Sequence, residues 1–416
     1  MDKQKITAQR YKWVVLFAFM ITMFIQQLLW ITFAAITDSA SVYYGVSDLS
    51  IGLLSMVFMI VYIIISIPAS WMIDTYGFRV AVGLGAVLTG VFGILRGVFA
   101  SSFIMVLVCQ IGIALGQPLI INAVTKVAAR WFPVKERGTA SGLSWLAGYV
   151  GLIVGLAFTP YLSDVAGIPG MLYWYGILSV AAAVIFLLLA RENKQKAQSE
   201  NEEKVLVFDG LKKLLLKKDF ILLTIVFFIG LGVFNGLSTW IENVLKPRGF
   251  SSYQAGIIGG VMVACGVLGS GIMPVLSDKF KNRTRFVILA LAGSVPGLIG
   301  ITYGRSYWLV LTSAGILGFF MLSTAPIGFQ YGSEIAYPAP EGTSTGVLMQ
   351  MGQISGIVFI FGMDMFKSAK TGSMGGPMIV LIILLILGAL LSTRLKESDM
   401  LREKTDEDVP AEEKTA

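Results

Sequence analysis

A few amides and one indole stand inside runs that are otherwise apolar. Gln26, Gln27 and Trp30 share the first run; Gln117 and Asn122 share another; Asn235 lies in a third, and Gln350 and Gln353 in a fourth. Gln26 and Trp30 are four residues apart, which a helix turns into one face. Such amides can orient a small polar solute by donating and accepting hydrogen bonds, and an indole face attracts a cation. The competing use is helix-to-helix bonding, worth ~0.6 kcal/mol per bond within a bilayer. For any single amide the two uses balance; recurrence at similar depth in four runs favours a binding site. A second pattern pairs charges: Asp74 with Arg79, and Asp278 with Arg283. An Asp at a helix end accepts N–H bonds from the next helix and pairs with a cation, which can hold one closed state of a moving bundle. The competing use is a static solvated pair worth under ~1 kcal/mol. These four are the expected gating residues.

The residue counts close off other chemistries. There is no histidine, which removes His-based metal sites, catalytic triads and imidazole proton relays. Cys109 and Cys265 each lie in an apolar run, where packing is a better reading than a disulfide framework. With no phosphate-binding loop, metal cluster or nucleophile–base pair, neither an enzyme activity nor a cofactor is expected. Charged residues make up 14% against 56% hydrophobic, with mean hydropathy +0.77. A globular domain carries about 25% charge. The net charge of +7 would suit nucleic acid, but its placement matters more than its sum. The expected partners are a small-molecule substrate and the lipid bilayer, with no nucleic acid and the chain a monomer.

The elements that must position these residues are transmembrane helices. A ruler of ~20 apolar residues places spans 1 to 6 at roughly 13–37, 49–73, 79–99, 103–129, 138–162 and 170–190. Spans 7 to 12 follow at roughly 220–245, 253–277, 286–304, 307–331, 343–366 and 375–393. The expected fold is all-α membrane: a cytoplasmic N-terminus (1–12), a six-helix bundle (13–190), a cytoplasmic linker (191–219), a second six-helix bundle (220–393) and a cytoplasmic tail (394–416). The start, MDKQKITAQRYKW, runs into span 1 with no cleavage site, which reads as a retained span rather than a signal peptide. Within the linker and into span 7, VLVFDGLKKLLLKKDF sets Leu and Phe against lysines at helical spacing. That suits a basic amphipathic helix on the inner leaflet, or an extension of span 7. The tail is expected to be disordered.

Placing both termini inside puts 25 of the 32 Lys and Arg residues in inner segments and only five in outer loops. That bias makes both ends cytoplasmic, in a plasma (inner) membrane.

The two halves repeat. Gly45 and Ser47 recur as Gly249 and Ser251, Asp74 and Arg79 as Asp278 and Arg283, Gly138 and Thr139 as Gly342 and Thr343, all at an offset of 204 residues. Six spans per copy is an even number, so the copies enter the membrane with the same orientation and form a parallel repeat.

Twelve spans in two parallel halves resemble the major facilitator superfamily, and the loops agree. Pro68-Ala-Ser-Trp-Met-Ile-Asp74-Thr-Tyr-Gly77-Phe-Arg79 resembles that family's signature between spans 2 and 3, and Pro274-Val-Leu-Ser-Asp278-Lys-Phe-Lys281-Asn-Arg283 is its counterpart. The family usually places Gly where this chain has Ser70, Pro274 and Lys281. Gln26-Gln-Leu-Leu-Trp30, Gln117 ahead of Trp131-Phe132, Gly232-Val-Phe-Asn235 and Tyr337-Pro-Ala-Pro-Glu341-Gly-Thr-Ser-Thr-Gly346 are similar to the feline leukaemia virus subgroup C receptor-related carriers, a branch linked to choline, ethanolamine and haem transport. That resemblance implies substrate contacts from Trp30, Gln117 and Gln353, with Gln26 replacing an Asn. Asn235 stands where choline-carrying members place a Tyr, which counts against choline itself. Without histidine, haem lacks its usual axial ligand.

The expected substrate-binding residues are therefore Gln26, Trp30, Gln117, Asn235 and Gln353, near the midplane at the interface of the repeats. The expected function is secondary-active or facilitative transport of a small organic solute, an amine among the candidates, by alternating access. The absence of a midplane carboxylate argues for facilitation. A proton-coupled efflux pump and a non-transporting membrane sensor are the alternatives.

Overall fold

The computed structural model describes residues 3–192, 217–336, 341–368 and 372–397. Among these every regular element is helical. There are 11 helical runs long and apolar enough to cross a bilayer. One of them, Thr139–Leu189, has 51 residues, about 75 Å at 1.5 Å per residue and more than twice the hydrocarbon thickness. It is interrupted at Gly167, whose φ of 68° and ψ of 168° leave the helical region two residues before Pro169. A left-handed φ is strained for any residue with a Cβ, so glycine is what permits the break. This run therefore supplies spans 5 and 6, and the twelve expected crossings are present.

Helix ends depart from the expected ones where the chain does something specific. Span 1 runs Lys3–Ile31 and stops six residues early; turns follow, then a short helix at Thr37–Tyr44. Span 4 is split into Phe103–Ile121 and Val124–Trp131. The break falls at Asn122 and Ala123, where Asn122 caps the first piece and its side chain is held by Tyr62, Ser66 and Ser70 of span 2. Span 7 runs Lys218–Thr239, with Ile241–Leu245 a separate turn. The linker helix (through residue 216), the Tyr337-Pro-Ala-Pro segment and the tail beyond residue 397 lie outside the described residues.

The 204-residue repeat is also a repeat of backbone geometry. Gly45 and Gly249 both close an outer helical turn in the left-handed region, at φ 64° and 89°. Gly77 and its mate Lys281 are both left-handed as well, at φ 83° and 47°. Lysine at that position costs about 1–2 kcal/mol that glycine would not. Side-chain packing repeats too: Gly148 of span 5 meets the Gln27 side chain of span 1, and Gly352 of span 11 meets Leu231 of span 7.

Two compact units are drawn from these helices. The first takes its residues from Met1–Glu202 and Leu237–Gly260 with Ala369–Ser373, the second from Glu203–Gly236, Val261–Ser368 and Met374–Ala416. In the first unit, spans 1, 3, 4 and 6 bury Val15, Phe19, Phe78, Ile120 and Phe186 together. Glycines bring its helices close: a Cβ on Gly151 would fall 2.1 Å from the Phe24 carbonyl oxygen, and one on Gly97 2.5 Å from the Tyr173 Cα. In the second unit, a Cβ on Gly318 would fall 1.7 Å from the Met262 carbonyl oxygen, locking spans 8 and 10. Large side chains on the outside are apolar: Ile67 is 75% exposed, Leu188 72% and Trp308 70%. A water-soluble protein does not present that surface; a bilayer solvates it.

Candidate functional site

Trp30 stands at the end of a helix, and Gln117 about one turn before one. Trp30 is one residue from the end of span 1, and Gln117 immediately precedes Pro118 in the split span 4. Broken helices at mid-depth are where transporters expose polar groups to a cavity. Trp30 is buried, and its indole N–H donates to the Ser55 carbonyl at 3.3 Å, which ties the polar edge to span 2. Gln117 is buried, and its Oε1 has no hydrogen-bond partner among the described residues. The same is true of Gln27 Oε1. Two buried amide oxygens without donors are uncommon, since a buried acceptor left unpaired costs about 1–3 kcal/mol.

The other amides of this unit are committed. Gln26 accepts from the Thr89 hydroxyl at 2.8 Å and donates to the Ile113 carbonyl at 3.3 Å, bracing span 1 against spans 3 and 4. Asn122 accepts from Tyr62 at 2.8 Å and donates to Ser66 and Ser70 on span 2. The Gln26–Ile113 bond sets the register of spans 1 and 4. Since the two run antiparallel, Gln117 lies about 10 Å inward of Trp30 along the bundle, with Gln27 between them in depth.

In the second unit, Asn235 is half-buried and donates to the Gly352 carbonyl at 3.2 Å, the residue before Gln353. Gly232 and Gly236 bring span 7 against Phe359 and Met363 of span 11. Asn235 thus braces the turn that carries Gln353, which is itself half-buried.

The inner charge pairs differ between the halves. Arg283 is buried and bonds Asp278, Glu334 at 3.4 Å and the Ser277 hydroxyl at 3.4 Å, all within its own unit. Its mate Arg79 is exposed, and its backbone N–H donates to Glu192 at 3.2 Å. The side chain of Asp74 lies outside the described residues. The residue 204 before Glu334 is Arg130. Glu334 pairs with Arg283, whereas Arg130 pairs with Glu192, which also accepts from the Arg79 backbone. Burial raises the Glu192 carboxyl above the usual range, against the pull of Arg79, Arg130 and Lys126. Glu397 plays the corresponding part in the second half, accepting from the Arg283 and Thr284 backbone N–H groups at 3.1 Å each.

At the outer end, Glu242 is fully buried and accepts from the Asp38 N–H at 2.9 Å and from the Ser252 hydroxyl, while Lys246 pairs with Asp38. Asp38 and Glu242 are themselves 204 residues apart, so equivalent positions of the repeat touch. Burial raises the Glu242 carboxyl, opposed by Ser252, Asp38 N–H and Lys246. Neither residue stands out by type or spacing, and their common offset of 204 is the signal that would have found the contact. Arg96 likewise has no role assigned from sequence. No cluster able to hold a metal ion occurs among the described residues.

Comparison with known proteins agrees with this architecture. A family model described as Major Facilitator Superfamily matches residues 15–360. The choline/ethanolamine transporter FLVCR1 of Felis catus is 30% identical over 420 residues, covering 95% of this chain and 74% of that protein. The choline/ethanolamine transporter flvcr2a of Danio rerio is 28% identical over 421 residues, covering 96% and 89%. Among solved structures, a bacterial homologue of the human lysosomal transporter Spinster, in an inward-facing and unoccupied conformation, superposes with a TM-score of 0.76 at 16% identity, covering 92% of this chain and 96% of that one.

Proposed function

The chain belongs to the major facilitator superfamily, in the branch of the FLVCR-related carriers, and from that premise we propose that its solute is a small amino alcohol of the ethanolamine type. It is a multi-pass membrane transporter that moves a small polar solute by alternating access. The observation that carries the substrate reading is the pair of buried, unpartnered oxygens on Gln27 and Gln117. An oxygen in that state calls for a ligand that donates hydrogen bonds, and a primary ammonium donates three. A quaternary ammonium donates none from nitrogen and relies on aromatic faces. Asn235, where choline-carrying relatives place a Tyr, leaves fewer faces. Trp30 supplies an indole face for the cation in the first unit; within the second, Asn235 holds the turn that carries Gln353. Gln26, with both amide ends used by the protein, acts by bracing span 1. Asp74, Arg79, Asp278 and Arg283 serve the inner gate.

Among the described residues the carboxylates named above stand at helix ends rather than at mid-depth, which supports facilitated movement down a gradient. The excess of basic residues in inner segments supports cytoplasmic termini in a plasma membrane, with the monomer as the working unit.

The test is a methylation series. Ethanolamine, its N-methyl and N,N-dimethyl forms, and choline are titrated against purified protein by thermal shift, then supplied to proteoliposomes as labelled solutes. Affinity should fall stepwise as N–H donors are replaced by methyl groups. Choline binding tighter than ethanolamine, or no stabilisation by any member, would reject the reading.

A further inference from the structure

Arg96 is fully buried late in span 3, and no carboxylate pairs with it among the described residues. An isolated buried cation is unfavourable unless other groups replace water around it. What it faces is the end of a helix. Span 1 stops at Ile31, so the carbonyls of its last turn have lost their intrahelical donors and carry the negative end of the helix dipole. The Leu29 carbonyl receives Arg96 Nη1 at 3.5 Å, Gln110 Nε2 at 3.4 Å and the Thr32 hydroxyl at 3.2 Å. The Phe33 ring lies 5.8 Å from the guanidinium carbon. Arg96 is therefore a cap on span 1.

The cap is built through Gln110. Arg96 Nη1 donates to Gln110 Oε1 at 2.6 Å, which turns the amide so that Nε2 reaches the carbonyls of both Leu29 and Leu54, the latter at 3.1 Å. The next residue along each span is tied as well, Trp30 to the Ser55 carbonyl. Consecutive residues on span 1 are thus joined to consecutive residues on span 2. One tie is made by the Arg96–Gln110 pair and the other by the indole itself. The guanidinium Nε and Nη2 bond no described protein atom, so the single engaged arm sets the orientation.

We propose that Arg96 and Gln110 are positioning residues that fix the Trp30 indole through the backbone of spans 1 and 2. Neither needs to touch solute. The proposal rests on the substrate reading above only for its affinity arm.

Two substitutions and two readouts test it. Gln110→Glu keeps an acceptor for Arg96 but removes the N–H groups that reach Leu29 and Leu54; Gln110→Leu removes both. Trp30 fluorescence is isolated as the difference between each protein and the same protein carrying Trp30→Phe. Ethanolamine binding is measured in parallel. Both Gln110 variants should shift the Trp30 emission to the red and raise its quenching by acrylamide. Ethanolamine affinity should fall by about five- to thirtyfold, the range of a lost cation–π contact, and Trp30→Phe should then cost little more. In Gln110→Glu this should occur at a near-native melting temperature. Unchanged Trp30 emission and quenching in Gln110→Glu would overturn the proposal, whatever the melting temperature does. If Gln110→Leu does not fold, Gln110→Glu alone decides. If ethanolamine does not bind the parent protein, the substrate reading fails while the fluorescence arm still decides this one.

Discussion

Replacing Gln117 with leucine should stabilise the unliganded protein and weaken its ligand at once. Gln117 is 6% exposed and its Oε1 has no partner. Removing an unpaired buried acceptor recovers about 1–3 kcal/mol. Leucine has a similar volume and no polar atom, but its branch does not copy the glutamine shape, which returns up to about 1.5 kcal/mol. The expected net is about +1 kcal/mol, or a melting temperature higher by about 2–4 °C for a unit of this size. The ligand loses an acceptor for an ammonium N–H, a charge-assisted bond worth about 1.5–3 kcal/mol. The Kd for ethanolamine should therefore weaken by about 10- to 150-fold. Differential scanning fluorimetry gives the melting temperature without ligand, and its ligand dependence gives the affinity; labelled uptake into proteoliposomes gives the rate. A fall in melting temperature with unchanged affinity would refute the reasoning, because it would mean that the oxygen serves the protein and not the solute.

Four further expectations concern the charges. Glu334→Gln should cost about 2 kcal/mol of stability because it strips a buried partner from a buried arginine, whereas Asp278→Asn, with the Asp side chain 62% exposed, should cost under ~1 kcal/mol; equal losses in thermal melts would contradict this ranking. In the same proteoliposomes, Asp278→Asn should slow uptake without changing affinity, and unchanged flux would remove its gating role. Burial holds the Glu242 carboxyl above its value in the unfolded chain, so the neutral form is favoured in the fold. Its contribution to stability is complete below the ordinary value of 4.5 and is lost as pH rises through the raised one; melting temperature should fall across that window and flatten in Glu242→Gln. Uptake of ethanolamine should equilibrate without a pH or sodium gradient, and accumulation abolished by a protonophore would show coupling, with Glu334 and Asp38 the first groups to mutate.

Much of the fold was legible because it follows from one-dimensional quantities. Span length is set by bilayer thickness, so apolar run lengths located the crossings to within a few residues. The offset of 204 reappears in the left-handed glycines Gly45 and Gly249 and in the Asp38–Glu242 contact. Elsewhere the ends moved: span 4 broke at Asn122, and span 1 stopped at Ile31.

The site was legible only as residue types. Gln26, Gln27, Gln117 and Asn122 are amides within apolar runs, and nothing in their order along the chain says which is spent on a neighbouring helix. That depends on whether a donor or carbonyl from another span arrives within hydrogen-bond reach. Thr89 and Ile113 reach Gln26, Tyr62 and Ser66 reach Asn122, and nothing among the described residues reaches the oxygens of Gln27 and Gln117. The same holds for Arg96, which reads as an unexplained intramembrane charge until the end of span 1 is brought against it. Arg79 and Arg283 are equivalent in sequence, yet one is exposed and the other is buried against Glu334, whose own equivalent in the first half is Arg130. Sequence by itself determined the crossings and the repeat, since hydrophobic length and periodicity each act along the chain. Tertiary structure alone decided which polar groups remain free to bind, since satisfying a buried group requires a partner from a distant part of the chain.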